Sequence, residues 1–338
     1  MQYNFCTLFD RNYFYKGLAM YNSLLANSSE DFYLWVLCMD DLTYEILKKM
    51  NLPKMKLVPL QEFESPELLQ VKKDRNVAEY SWTCTSNFTW FLLQQHRDLS
   101  MMIYLDADLY FFNDPKVLID ELGADDVMIT EHRYTKKYDQ VAVSGKYCVQ
   151  FVIFKNNANA LAILDWWRSA CLDWCFAYLD NGRLGDQKYL DDWTTRFKRV
   201  HELKHLGGGV APWNVQQYDF IMKDNKVFGQ VKKEADVWPV IFYHFHSFCL
   251  LSPDNYFPVR GYDLSKNAQD IIYEPYFKSL QEGIKFVKNF YPDFHFGYKS
   301  VSSKEKMVSR LSRFGFMKLI IRFYKLIRDK IYGQKNKS

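Results

Sequence analysis

Residues 101–112, MMIYLDADLYFF, set two carboxylates, Asp106 and Asp108, one residue apart at the end of a strongly apolar run. Alternate residues of an extended chain point to one side, so at the mouth of a buried strand these acids repel each other unless a cation lies between them. A divalent metal is the candidate. Downstream, PVIFYHFHSF carries His244 and His246 in an apolar strand, where one is expected as a metal ligand and the competing reading is a satisfied core histidine. GDQKYLDDW offers Asp186 and Gln187, either as site groups or as the start of a helix, since Gly-Asp before a helical run is a common start signal. HLGGGVAPWNV brings Gly207 to Gly209, where backbone can approach a ligand closely, then Trp213 and Asn214.

The elements that must position these groups alternate. Strand-like FCTLFD, DFYLWVLCM, MKLVPL and MMIYLDADLYFF are separated by helix-like stretches around 14–26, 42–50 and 86–96. That order predicts an α/β fold with a mostly parallel, Rossmann-like sheet and flanking helices, binding ligands beyond the carboxyl ends of its strands. KYCVQFVIFKNN reads as a further strand, and NANALAILDWWRSACLDWCFAYL as a long, largely buried helix. Residues 250–270, with Pro253, Pro258 and Gly261, read as a long loop able to cover a site, with Arg260 placed to close over a ligand. After the first strand comes DRNYFYKGLAMYNSLL, which holds neither a P-loop nor a dinucleotide fingerprint. A bound diphosphate must be neutralised in another way, and a metal on paired aspartates would do so.

Composition narrows the class. With 338 residues at 48% hydrophobic content, the chain can build one large or two modest cores. Its 24 Tyr, 27 Phe and 9 Trp exceed what a core needs and suit stacking or interface surfaces, with core packing as the competing reading for Tyr13 and Trp213. Seven scattered cysteines suggest no disulfide framework and complete no zinc motif, which predicts a cytoplasmic protein. No signal peptide and no membrane-spanning run are expected. Residues 301–338 hold 11 Lys and Arg against Glu305 and Asp329, while the rest of the chain has 33 basic and 38 acidic residues. Met307, Leu311, Phe314, Met317, Ile321, Tyr324, Ile327 and Ile331 recur there at steps of three or four, predicting amphipathic basic helices suited to an anionic membrane surface. Nucleic acid would leave that apolar face unexplained.

The order of YLDADLYFF, GDQKYLDDW and FYHFHSF resembles the nucleotide-sugar glycosyltransferases of the GT-A fold, particularly the retaining family 8 type and related bacterial enzymes. The resemblance spans roughly residues 1–250. It implies Mn²⁺ or Mg²⁺ held by Asp106, Asp108 and His244, with Ala107 between the acids and His246 or Ser247 near the phosphates of the donor. Asp10 and Tyr13 match an early Asp-x-Asn-Tyr segment that holds and stacks the base, with the backbone of Thr7 beside it; Arg11 departs from the acidic residue usual there. Asp186 and Gln187 match the start of an Asp-Gln-Asp motif facing the donor sugar, and Lys188 departs at its third place. Trp213 is expected as a sugar platform, with Asn214 beside it.

The chain is thus expected to be a metal-dependent glycosyltransferase using a nucleotide diphosphate sugar, UDP-sugars favoured, and acting on a glycan or glycolipid acceptor at the inner face of a membrane. Such work fits bacterial surface polysaccharide or lipooligosaccharide synthesis. Retention is expected; inversion would make Asp186 or Asp191 the general base. Three regions follow: residues 1–250 as the catalytic domain, 251–300 as an acceptor-side loop and helical extension, and 301–338 as the membrane-associating tail. The rival readings are a phosphatase with Asp106 as nucleophile and a non-catalytic glycan-binding or membrane scaffold module.

Overall fold

Four apolar runs become the strands β1 (Gln2–Phe9), β2 (Asp31–Cys38), β3 (Met55–Pro59) and β4 (Met101–Leu105), three of them almost wholly buried, as strands covered on both faces must be. The structure, a computed structural model, describes residues 2–299, so the basic tail of 301–338 lies outside the described residues. The chain up to Gly297 forms one unit. With β6 (Val127–Glu131), β7 (Tyr147–Lys155) and β8 (Val200–Glu202), these strands form a seven-stranded sheet of order β3-β2-β1-β4-β7-β6-β8. Every neighbouring pair is parallel except the two made by β7. Running backwards, β7 brings its first residues to the edge where β1 and β4 end.

Alternation along β1 divides its cover. Cys6 and Leu8 join the large core shared with Tyr104, Val152, Phe154 and Trp167, on which the helices Val77–Gln95 and Ala158–Asp173 pack. On the other side Phe9 meets the helix Phe14–Asn27 edge-to-face through Phe14, ring centroids 6.1 Å apart. That helix packs in turn on the helix Glu274–Lys288.

Three expected elements take a different form. The helix placed at 86–96 begins at Val77, because Asn76 and Glu79 close a reciprocal capping box there. The long helix stops at Asp173, where Trp174 turns extended. The loop expected over 250–270 begins as a hairpin of β13 (Cys249–Ser252) and β14 (Asn255–Phe257), and a helix starts at Lys266. A meander joins them unexpected: β9 (Tyr218–Lys223), β10 (Lys226–Val231) and β11 (Val237–Pro239) form an antiparallel sheet. Asp224 and Asn225, both at positive φ, make its two-residue turn.

MMIYLDADLYFF is not one strand. β4 ends at Leu105, Asp106 to Asp108 turn, and β5 (Leu109–Phe111) leaves the main sheet to pair antiparallel with β12 (Phe242–His244). The glycine run fills tight spaces inside the protein instead of facing a ligand. A Cβ on Gly207 would stand 1.9 Å from the Pro239 carbonyl oxygen, and one on Gly209, at φ +93°, would stand 2.8 Å from Thr130 and 3.1 Å from Gln150. Gly207→Ala must therefore push its own backbone and that of Pro239 apart, at an expected cost of about 3 kcal/mol or more. A urea midpoint unchanged from the parent protein would refute this.

Candidate active site

The turn after β4 and the end of β12 meet because of register. His244 lies opposite Leu109, and the Phe245 N–H donates to the Asp108 carbonyl at 2.9 Å, which carries the imidazole to the two carboxylates. His244 Nε2 is 3.1 Å from Asp108 Oδ1 and 3.7 Å from Asp106 Oδ2. On the ring's far side Nδ1 bonds Gln150 Oε1 at 2.9 Å, which fixes the imidazole and leaves Nε2 for the acids. Gln150 also receives the Asp106 N–H on its carbonyl at 3.1 Å.

A charge already stands in this cluster. Lys16, in the first turns of the helix Phe14–Asn27, reaches Asp108 Oδ2 at 3.4 Å with its ammonium 4.2 Å above the Tyr13 ring. Burial opposes ionisation of Asp108, but Lys16 and then His244 outweigh it and hold this carboxyl far below the usual range. Burial also opposes a charged His244, yet Asp108 raises its pKa well above that of free imidazole. Asp106 lacks such support: burial pushes it up to about 6, against the pull of His244 and with the push of Asp108.

A relay leads from Asp106 to Asp186. Tyr104 donates its hydroxyl to Asp106 Oδ1 at 3.1 Å and receives that of Thr85 at 3.3 Å, and Thr85 also bonds the Asp186 carboxyl. Asp186 starts a short 3₁₀ turn, Gln187–Leu190, without a side-chain capping bond, so capping does not account for its carboxyl. It is 7% exposed, and burial followed by the charge of Asp106 pushes its pKa up to about 8. Gln187 donates Nε2 to the Ser144 carbonyl at 2.7 Å. Lys188 and Asp191 pair at 2.7 Å, and Asp191 accepts the Lys146 N–H at the same distance.

The remaining expected residues divide. Asp10 follows β1 on the same edge and spends its carboxylate on the N–H groups of Asn12 and Tyr13, folding the turn into the first helix. It borders a cleft of about 370 Å³ that Arg11, Asp40, Arg75, Asn76 and Tyr80 also line. Tyr13 is 37% exposed, whereas Thr7 and Ala107 are buried. Trp213 is 3% exposed and turned edge-on to His244 and His246, with ring centroids 5.3 and 5.6 Å away. It walls the histidines and presents no free face. Asn214 is fully buried, and its amide serves the backbone of His132, Gly209 and Ala211. His246 sits exposed in the turn after β12, beside Ser247 at φ +63°. Arg260 is exposed as well.

Four residues that matter here do not stand out in the sequence: Lys16, Tyr104, Cys148 and Gln150. The last two carry a signal, since Cys148 and Gln150 alternate along KYCVQF and so share one face of β7. One ligand atom each from Asp106, Cys148 and His244 lie within 4.8 Å of one another, a spacing and donor set that can hold a metal ion. All seven cysteines are buried and unbridged. Among the described residues no helix is long and apolar enough to cross a membrane.

No family model matches the sequence. The chain is 32% identical over 303 residues to the uncharacterized protein YfnD of Bacillus subtilis (strain 168), across 88% of this chain and 94% of that protein. The chain belongs to the YfnD family. The uncharacterized protein YfnF of the same organism is 27% identical over 298 residues, 86% of this chain and 96% of that one. Among solved structures, this YfnD-family chain superposes on the galactosyltransferase LgtC in complex with donor and acceptor sugar analogs, with TM-score 0.50 and 12% identity over 89% of this chain and 98% of that one. The apo form of the glycosyltransferase GlyE of Streptococcus pneumoniae TIGR4 gives TM-score 0.50 and 11% identity over 89% of this chain and 66% of that one. The fold of the YfnD-family chain is therefore GT-A, as its mixed sheet and element order already indicated.

Proposed function

We propose that this chain is a metal-dependent, retaining glycosyltransferase that moves a sugar from a nucleotide diphosphate sugar, preferably a UDP-sugar, to a glycan or glycolipid acceptor. The observation that carries this reading is the convergence of Asp106, Asp108 and His244 at one edge of the sheet, with Asp186 behind them. Asp106, Asp108 and His244 Nε2 would hold Mn²⁺ or Mg²⁺. Bound there, the ion supplies Lewis-acid stabilisation of the charge that grows on the departing nucleotide diphosphate.

The chain's own groups do the rest. The cleft beside Asp10 and Arg11 takes the nucleoside, with Tyr13 at its approach. His246 and Ser247, at the rim, face the phosphates. Asp186, protonated near neutral pH, donates a hydrogen bond to a sugar hydroxyl, and Gln187 stands on the sugar face opposite the leaving group. Retention draws support from the two candidate bases for inversion: one carboxyl is held protonated, and the other is tied to Lys188 and a backbone amide. The basic tail of 301–338 would bring the enzyme to the anionic inner face of a bacterial membrane, where a lipid-linked acceptor for surface polysaccharide or lipooligosaccharide synthesis is within reach.

Incubation with a panel of UDP- and GDP-sugars, with and without Mn²⁺, tests the proposal without a known acceptor. Metal-dependent release of one nucleotide diphosphate is expected, falling on the order of 100-fold or more in Asp106→Ala/Asp108→Ala. If a folded protein releases none and binds no nucleotide sugar, the reading gives way to a non-catalytic binding module.

A further inference from the structure

The metal site expected from the sequence, Asp106, Asp108 and His244, has a sulfur beside it. Cys148 follows the first residue of β7, and because β7 runs against its neighbours this start lies at the edge where β4 delivers Asp106. Its Sγ, the nearer Asp106 oxygen and a His244 nitrogen are mutually within 4.8 Å. An ion about 2.0 to 2.3 Å from each of three such atoms holds them about 3.3 to 4 Å apart, so modest rotation of the three side chains closes what gap remains. The thiol is 4% exposed and packs on Ala211 and Trp213. Asp108, the other acid of the site, carries the Lys16 ion pair as well, at 3.4 Å.

Resting on the metal-dependent reading above, we propose that Cys148 Sγ is itself a ligand of the site's metal, together with Asp106 and His244, so that the site prefers borderline ions such as Zn²⁺ and Co²⁺ to Mg²⁺. Thiolate and imidazole select such ions, whereas Mg²⁺ demands an octahedron of oxygens. On binding, the thiol proton would leave to solvent and the thiolate left behind would donate a lone pair to the ion.

The test reads the ion directly. EDTA-stripped, dialysed full-length protein is titrated with Co²⁺ and its spectrum recorded. A near-ultraviolet sulfur-to-cobalt charge-transfer band is expected, saturating with the visible d–d bands. Cys148→Ser should lose that band and bind Co²⁺ and Zn²⁺ at least tenfold more weakly, with Mg²⁺ affinity unchanged. Cobalt bound without the band overturns the assignment, and so does a band that persists in Cys148→Ser. Should that variant not fold, the wild-type spectrum still decides, since no other cysteine belongs to a three-ligand cluster among the described residues. A band in protein that turns over no nucleotide sugar supports the ligand assignment while counting against the transferase reading.

Discussion

Replacing Asp186 with Asn should yield a more stable and far less active protein, with the gain in stability growing as the pH rises. Asp186 is pushed up to about 8 by burial and by Asp106, against an ordinary value near 4. Below pH 4 the carboxyl is protonated in folded and unfolded chains alike and has no effect on stability. Between 4 and 8 the unfolded chain gives up this proton and the folded one keeps it, so folding binds a proton and stability falls by about 1.4 kcal/mol per pH unit. Above 8 both forms are ionised and the full penalty remains. At pH 7 the amide should therefore gain on the order of 4 kcal/mol, visible as a rise in urea midpoint that is absent at pH 4. On the role proposed for Asp186, transfer or donor hydrolysis should fall by about 100-fold, since the amide NH₂ donates less strongly than the carboxyl O–H and cannot accept in return. A stability gain that is the same at pH 4 and pH 8 would show that packing, not ionisation, sets it.

Lys16→Met should have the opposite sign. The side chains of Lys16 and Asp108 are 13% and 10% exposed, so the substitution strands a nearly buried carboxylate with His244 as its remaining cation. Removing one partner of such a pair costs on the order of 3 kcal/mol. A divalent ion would replace the missing charge, so the variant should melt well below the parent in EDTA and recover most of the difference in saturating Mn²⁺ or Co²⁺. Equal losses under both conditions would assign Lys16 to packing alone. The same comparison reports how strongly the ammonium competes with the ion for Asp108.

What the sequence discloses depends on whether the signal is local. The four parallel strands stand out because each is a short apolar run between turn residues, and Asp106 and Asp108 because acids at the end of such a run are costly. The helix start at Asn76 and the turn at Asp224–Asn225 are also written locally, in a capping box and a two-residue hairpin, though both are faint beside the apolar runs. Other features have no local mark. That β7 alone runs backwards, placing Cys148 and Gln150 beside Asp106, follows from sheet order, which pattern does not encode. Lys16 looks like any helix lysine until the fold sets Asp108 against it. Residue type alone suggests Trp213 as a platform, whereas its position between His132 and the two later histidines turns it inward.

The pairing of β5 with β12 also bears on how the protein is made. His244 reaches Asp108 only after the whole length of chain between Leu109 and His244 has left the ribosome and closed into a loop. A nascent chain that stops short of β12 carries both acids but not the imidazole that meets them. On the function proposed above, catalytic competence is thus withheld until β12 has been made, and a fragment that ends before it would not consume an activated sugar.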